Sequence, residues 1–157
     1  MTDPIIRPAV IADVPGMAAL WQERMTLRQQ VDSRFRVAPD GRAAWSQAAT
    51  AWLTNPRYAL YVAEDDQALV GDLVACVEDA PPGLIPAQVG VVTEMAVGAH
   101  SYRSGLGRHL LQPVRQWFAE QGIPYFMAYV PRRVPVEQAF WRAAGGTELT
   151  DILWMKV

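Results

Sequence analysis

The sequence predicts a mixed α/β domain, one sheet with helices packed on it, and three observations carry that prediction. Strands and helices follow one another in the order β-α-α-β-β-β-α-β-α-β, with no internal repeat and no linker. Near the middle, an apolar strand passes through a short loop into Gly105-Leu106-Gly107 and an amphipathic helix. Over 157 residues, 51% are apolar and 19% charged, which suits a single domain spanning residues 1–157 with a buried core and argues against disorder.

Taken in order, Ile5-Ile6 between Pro4 and Pro8 reads as a short edge strand, because proline cannot donate to a central ladder. Asp13 reads as a helix cap with Pro15 close to the first turn. Met17, Leu20, Trp21, Arg24 and Met25 then share one helical face. Gln29–Pro39 loses that period and is expected to be a loop. Asp40 is expected to cap a second helix with Ala44, Trp45, Ala48, Ala49 and Trp52 on one side, and Asn55-Pro56 ends it.

Arg57–Glu64 and Ala68–Glu78 read as antiparallel partners across a tight turn at Asp65-Asp66, with Gly71 a bulge or a close backbone approach. After a proline-rich loop, Asp79–Pro86, Gln88–Val97 reads as a long strand. The helix Gly105–Gln121 puts Leu106, Leu110, Leu111, Val114, Trp117 and Phe118 on one face, and Pro113 inside it predicts a kink. Ile123–Val130 reads as a strand buried on both faces, Val136–Ala144 as a short helix, and Thr147–Val157 as a final strand.

Composition removes several function classes. The formal net charge is −2 and the basic residues are scattered, so no partner nucleic acid or anionic membrane is expected. Cys76 is the only cysteine, and His100 and His109 are the only histidines, so neither a disulfide nor a metal site is expected. No apolar run approaches a membrane span and the N-terminus shows no signal pattern, which points to the cytoplasm. A dinucleotide-binding unit would place its glycine loop after the first strand with an acidic residue about twenty positions on. Neither is present.

Thr93–Leu111 is the stretch that carries chemistry. A strand that turns through glycines into a helix gathers backbone N–H groups at the positive helix end, where an anion can sit. Arg103 and Arg108 flank the glycines and are candidate phosphate contacts. Glu94 lies in an otherwise apolar strand, where a carboxylate is costly unless it is used or paired. It is therefore either a catalytic carboxylate or one facing solvent or an arginine. Cys76 reads as a small core residue.

This order of elements, with the Val97 to Gly105-Leu106-Gly107 spacing and the segment Ala139–Gly146 (AFWRAAGG), resembles the GNAT N-acetyltransferase superfamily over essentially the whole chain. The resemblance implies a GNAT-like mixed sheet that binds acetyl-CoA, with no metal. Pantetheine would lie against Glu94, Met95, Ala96 and Val97, where a backbone N–H of Met95 or Ala96 would point at the thioester carbonyl. The pyrophosphate would sit on the loop Tyr102, Arg103, Ser104, Gly105, Leu106, Gly107 and Arg108, with Tyr102 in the slot that usually holds Arg or Gln. Phe140-Trp141 fills the family's aromatic pair, so Trp141 stands where a tyrosine often protonates the departing thiolate. An indole N–H cannot do that.

Glu94 is thus the candidate base and Tyr129, with Tyr125, the substitute acid; water is the other proton source. The acceptor pocket would be lined by the first two helices and the loop between them, including Trp21, Met25 and Phe35. Arg24, Arg28, Arg34 and Arg36 either favour an acidic acceptor or form a solvated face. The expected activity is acetyl transfer from acetyl-CoA to a primary amine of a small molecule or peptide in a ternary complex. The competing expectation is a catalytically weak acyl-CoA-binding module. Exposed apolar surface on the last strands would permit a homodimer.

Overall fold

The computed structural model describes residues 3–101 and 105–157. Five strands form one sheet in the order β1-β2-β3-β4-β5. Strands β1 (Ile5–Pro8), β2 (Tyr58–Asp65), β3 (Ala68–Asp79) and β4 (Gln88–Val97) pair antiparallel in succession, and β5 (Phe126–Ala128) lies parallel to β4. The proline-flanked β1 is an edge, as its missing donors require. Asp66 and Gln67, both at positive φ, close the β2–β3 hairpin.

Alternation along the central strands supplies two cores. Leu60, Val62 and Val74 pack with Val14, Met17 and Ala18 of α1 (Val14–Val31) and with Trp45 and Ala49 of α2 (Gly41–Trp52). Ala63, Leu73, Ala75, Val77 and Val92 pack with Leu106, Leu110, Leu111, Val114 and Phe118 of α3 (Leu106–Glu120). The sheet is thus a middle layer, with α1 and α2 on one face and α3 on the other. The last helix, α4 (Pro135–Ala143), adds Phe140 and Trp141 to the rim of the α3 core.

Several expectations are corrected. Helix α1 continues past Gln29 to Val31, because Gln29 and Gln30 are good helix formers and Arg28 on the last turn is held by Glu137. Asp13 and Asp40 stand at the helix starts, but neither carboxylate caps its helix. Asp13 instead binds Arg7 and the Val10 N–H.

Strand β5 is three residues rather than eight, and its side chains are half-buried rather than buried. It pairs with β4 only from Gly90 to Val92, and Pro124 and Pro131 bound the stretch that could extend it. Residues 147–157 form no strand at all. They run exposed beyond α4, and among the described residues they pair with no strand.

Candidate active site

The site is built where β4 loses its second neighbour. Pairing with β5 ends at Val92, so from Thr93 to Val97 strand β4 has a strand neighbour on the β3 side alone among the described residues. Backbone alternation fixes which groups face the opening. The Gly98 N–H donates to the Val70 carbonyl and the Ala96 N–H to Asp72 Oδ1, so the even-numbered peptide groups face β3. Those of Met95 and Val97 face the open edge. Of the two N–H groups expected to point at a thioester, that of Ala96 is therefore engaged inside the sheet, and that of Met95 lies on the open side.

Helix α3 starts opposite this opening. Gly105 initiates it at φ 79°, a conformation that suits glycine, and a Cβ built there would meet nothing within 4 Å. The first turn presents N–H groups and the positive helix end. Gly107 is different: a Cβ there would stand 2.7 Å from Phe140 and 3.1 Å from the Met95 methyl. It is needed so that α3, β4 and α4 can touch. Leu106 is buried, Arg108 exposed, and Phe140 and Trp141 meet edge to face at 5.2 Å. Tyr102, Arg103 and Ser104, all expected in the phosphate loop, lie outside the described residues.

Charge is concentrated beneath the opening, on the α1 side. Arg24, buried on α1, is ion-paired with Glu94 and donates to the Met95 carbonyl at 2.6 Å. The structure thus gives Glu94 the arginine partner that the sequence left as one of its alternatives. Asp72 on β3 is 1% exposed and accepts the Ala96 N–H at 3.2 Å. Burial pushes its carboxyl up to about 7, although the Arg24 charge and the Ala96 N–H pull the other way.

One helical turn on from Arg24, Arg28 pairs with Glu137 of α4 (2.8 and 2.5 Å) and lies 5.8 Å from the centre of the Phe35 ring. Helix α1 therefore grips β4 with one arginine and α4 with the next. Asp72 and this i, i+4 arginine pair were not singled out from sequence as site residues with these roles. Their signals were present: one acid in the apolar run LVGDLVACV, and two arginines on a helix face otherwise carrying Met17, Leu20 and Met25.

The other candidates fall into place without joining this cluster. Trp21 stacks on Trp45 at 6.0 Å, Trp45 meets Trp52 edge-on, and Trp52 stacks on Tyr58. This column belongs to the α1–α2 core, leaving Met25 and Phe35 half-buried beside it. Tyr125 and Tyr129 flank β5 and are exposed, not walls of the core. His100 and His109 are exposed. Cys76 is buried, and its thiol is pushed up to about 11 by burial and by Glu78, which makes it unreactive. Among the described residues no cluster of His, Cys, Asp or Glu could hold a metal, and no helix is long and apolar enough to cross a membrane.

Comparison with known proteins agrees with this geometry. The model of the acetyltransferase (GNAT) family matches residues 19–145. The BH1408 protein of Bacillus halodurans, solved as a tetramutant, superposes with a TM-score of 0.84 at 13% identity over 98% of this chain and 99% of its own. An aminoglycoside 6'-N-acetyltransferase, AAC(6')-Ig from Acinetobacter haemolyticus, gives 0.78 at 18% identity over 98% and 97%. A predicted acetyltransferase with acetyl-CoA from Clostridium acetobutylicum gives 0.77 at 15% over 98% and 96%. No curated protein matches the sequence.

Proposed function

This chain belongs to the acetyltransferase (GNAT) family, and on that premise we propose that it moves an acetyl group from acetyl-CoA to a primary amine of a small molecule or peptide. Transfer is direct, within a ternary complex in the cytoplasm, by one acetyltransferase domain. The observation that carries the reading is the open β4 edge at Met95–Val97 facing the glycine-started end of α3.

The residues present fit acetyl-CoA. The first turn of α3 offers backbone N–H groups to a phosphate, with Arg108 exposed beside it. The peptide groups of Met95 and Val97 offer strand-type hydrogen bonds to an amide-containing arm. Phe140 and Trp141 close the far side. The co-substrate supplies an acetyl group already activated as a thioester.

The chain contributes binding, orientation and proton transfer. Glu94 takes the proton of the acceptor ammonium. Arg24 is ion-paired with its carboxylate and holds it in place, and the proton passes on to solvent. The Met95 N–H stabilises charge on the carbonyl oxygen. Tyr129 or water returns a proton, since Trp141 has no acidic hydrogen. Trp21, Met25 and Phe35 line the acceptor side.

The test is release of free CoA thiol with a panel of amines, beginning with aminoglycosides because one structural neighbour acetylates them. Cys76 is silent to the thiol reagent. Glu94→Gln is expected to cut turnover roughly a hundredfold or more while calorimetric CoA binding holds. Unchanged turnover removes Glu94 from the mechanism. The engagement of Glu94 by Arg24 favours a second reading, a CoA-binding module with weak catalysis. Tight CoA binding with no thiol release from any amine selects it.

A further inference from the structure

Three acids are buried among the described residues, and two of them have full partners. Asp13 is held by Arg7 and Asp32 by Arg34, each through both carboxylate oxygens. Asp72 is the third. Its Oδ1 accepts the Ala96 N–H, and its Oδ2 has no hydrogen-bond partner. A carboxyl left half-satisfied in the core is costly, and strand pairing does not require one.

Register places Asp72 between Val62 of β2 and Ala96 of β4, on the face that packs against α1. Glu94, opposite Val74, lies on the same face. From α1 the charge set against Asp72 is Arg24, and from β2 the neighbour is the apolar Val62. Two carboxyl groups thus flank one guanidinium. They are also joined through one peptide unit. Arg24 donates to the Met95 carbonyl at 2.6 Å, and Asp72 accepts the Ala96 N–H at 3.2 Å. These are the two ends of the planar unit between Met95 and Ala96. Arg24 therefore holds it from the open edge, and Asp72 holds it from the β3 side. Only the backbone dihedrals of Met95 separate this unit from the Met95 N–H and from Glu94. Burial keeps a proton on Asp72, so the Arg24 charge stays with Glu94.

We infer, on the proposed transferase activity, that Asp72 is a positioning residue for acetyl transfer: it anchors the Met95–Ala96 peptide from inside the sheet and leaves Arg24 to Glu94, so that the Met95 N–H and the Glu94 carboxylate are held at one reacting centre. Asp72 itself touches neither co-substrate nor acceptor.

The test follows the Met95 amide by nuclear magnetic resonance alongside turnover. In the isotope-labelled wild-type chain, acetyl-CoA is expected to shift the Met95 amide resonance further than CoA does, because only acetyl-CoA brings a thioester carbonyl to that N–H. Asp72→Ala is expected to abolish this difference. It is also expected to lower kcat roughly ten- to a hundredfold, with the KM for acetyl-CoA within about twofold. Asp72→Asn keeps an oxygen for the Ala96 N–H and is expected to restore the resonance difference and most of the lost turnover. With one amine throughout, the ratio of wild-type to Asp72→Asn turnover is expected to fall from about pH 6 to about pH 8, as ionised Asp72 draws Arg24 from Glu94.

A Met95 difference that survives Asp72→Ala overturns the inference, as does a rise in KM with kcat unchanged. Equal shifts with acetyl-CoA and CoA in the wild-type chain overturn it too. If Asp72→Ala does not fold, the pH ratio decides, and a flat ratio overturns it. If the wild-type chain releases thiol with no amine, the transferase reading falls, while the Met95 resonance still decides whether Asp72 positions that N–H.

Discussion

The first four strands and the carboxy-terminal quarter solve the same problem differently. Strands β2, β3 and β4 are covered on both faces, and β2 and β3 are paired along both edges. Most apolar positions of β2, β3 and β4 are buried or half-buried within the chain. From Tyr125 onward, β5 has three residues, α4 has no buried residue, and the tail lies in solvent. The amino-terminal part is a closed unit on which the charges of the site are mounted. The carboxy-terminal part forms the other wall and buries little of its own apolar surface. Substitutions in the first region should therefore destabilise the protein strongly, whereas those in the second should change its stability little.

The largest effect is expected at Arg24. It joins α1 to β4 through Glu94 and the Met95 carbonyl, and its charge faces buried Asp72. Arg24→Ala leaves carboxylates without their cation, at a cost of about 3–5 kcal/mol, measured by urea unfolding. Adding Glu94→Gln to it should recover part of that loss, since one uncompensated charge is removed. A loss below about 1 kcal/mol would mean that the pair behaves as a surface pair and that α1 is docked by apolar contacts alone. Next is Leu110→Ala in the α3 core, fully buried among Leu73, Ala75 and Val114, with an expected loss of about 2–5 kcal/mol.

These two positions also show how far the sequence could be read. Leu110 was legible because helical periodicity and strand alternation are local patterns, and each names its buried face without knowledge of the partner. The same holds for β2 to β4, for Trp45 and Ala49, and for the glycine turn into α3. Arg24 was legible as a member of an apolar face, but not as a clamp, because its partners are 70 and 71 residues away in sequence. Asp72 needed a fold to reveal what covers it. The tail was read as a strand from its composition, and that composition is sound. A strand also needs an edge to join, and which chain supplies the edge is not a local property.

A third test separates the two carboxylates that flank Arg24. An unfolded aspartate ionises near pH 4, whereas burial pushes folded Asp72 up to about 7. Between those values the folded protein holds a proton that the unfolded chain has released. Stability therefore falls as pH rises from about 4 to 7 and is level above. The loss is on the order of a few kcal/mol. Asp72→Asn keeps an oxygen for the Ala96 N–H and should flatten that slope, which unfolding curves collected across the range will show. A slope unchanged in Asp72→Asn would assign it to other groups and leave Asp72 ionised beside Arg24.

The smallest effect is expected at the tail. Trp154 is 74% exposed and lies among the residues that the single chain leaves uncovered. Trp154→Ala measured on the dilute chain should change unfolding free energy by less than about 0.5 kcal/mol, the range of ordinary surface substitutions. If Trp154→Ala instead costs as much at high dilution as Leu110→Ala does, the tail is packed within its own chain, and the two regions are one closed unit.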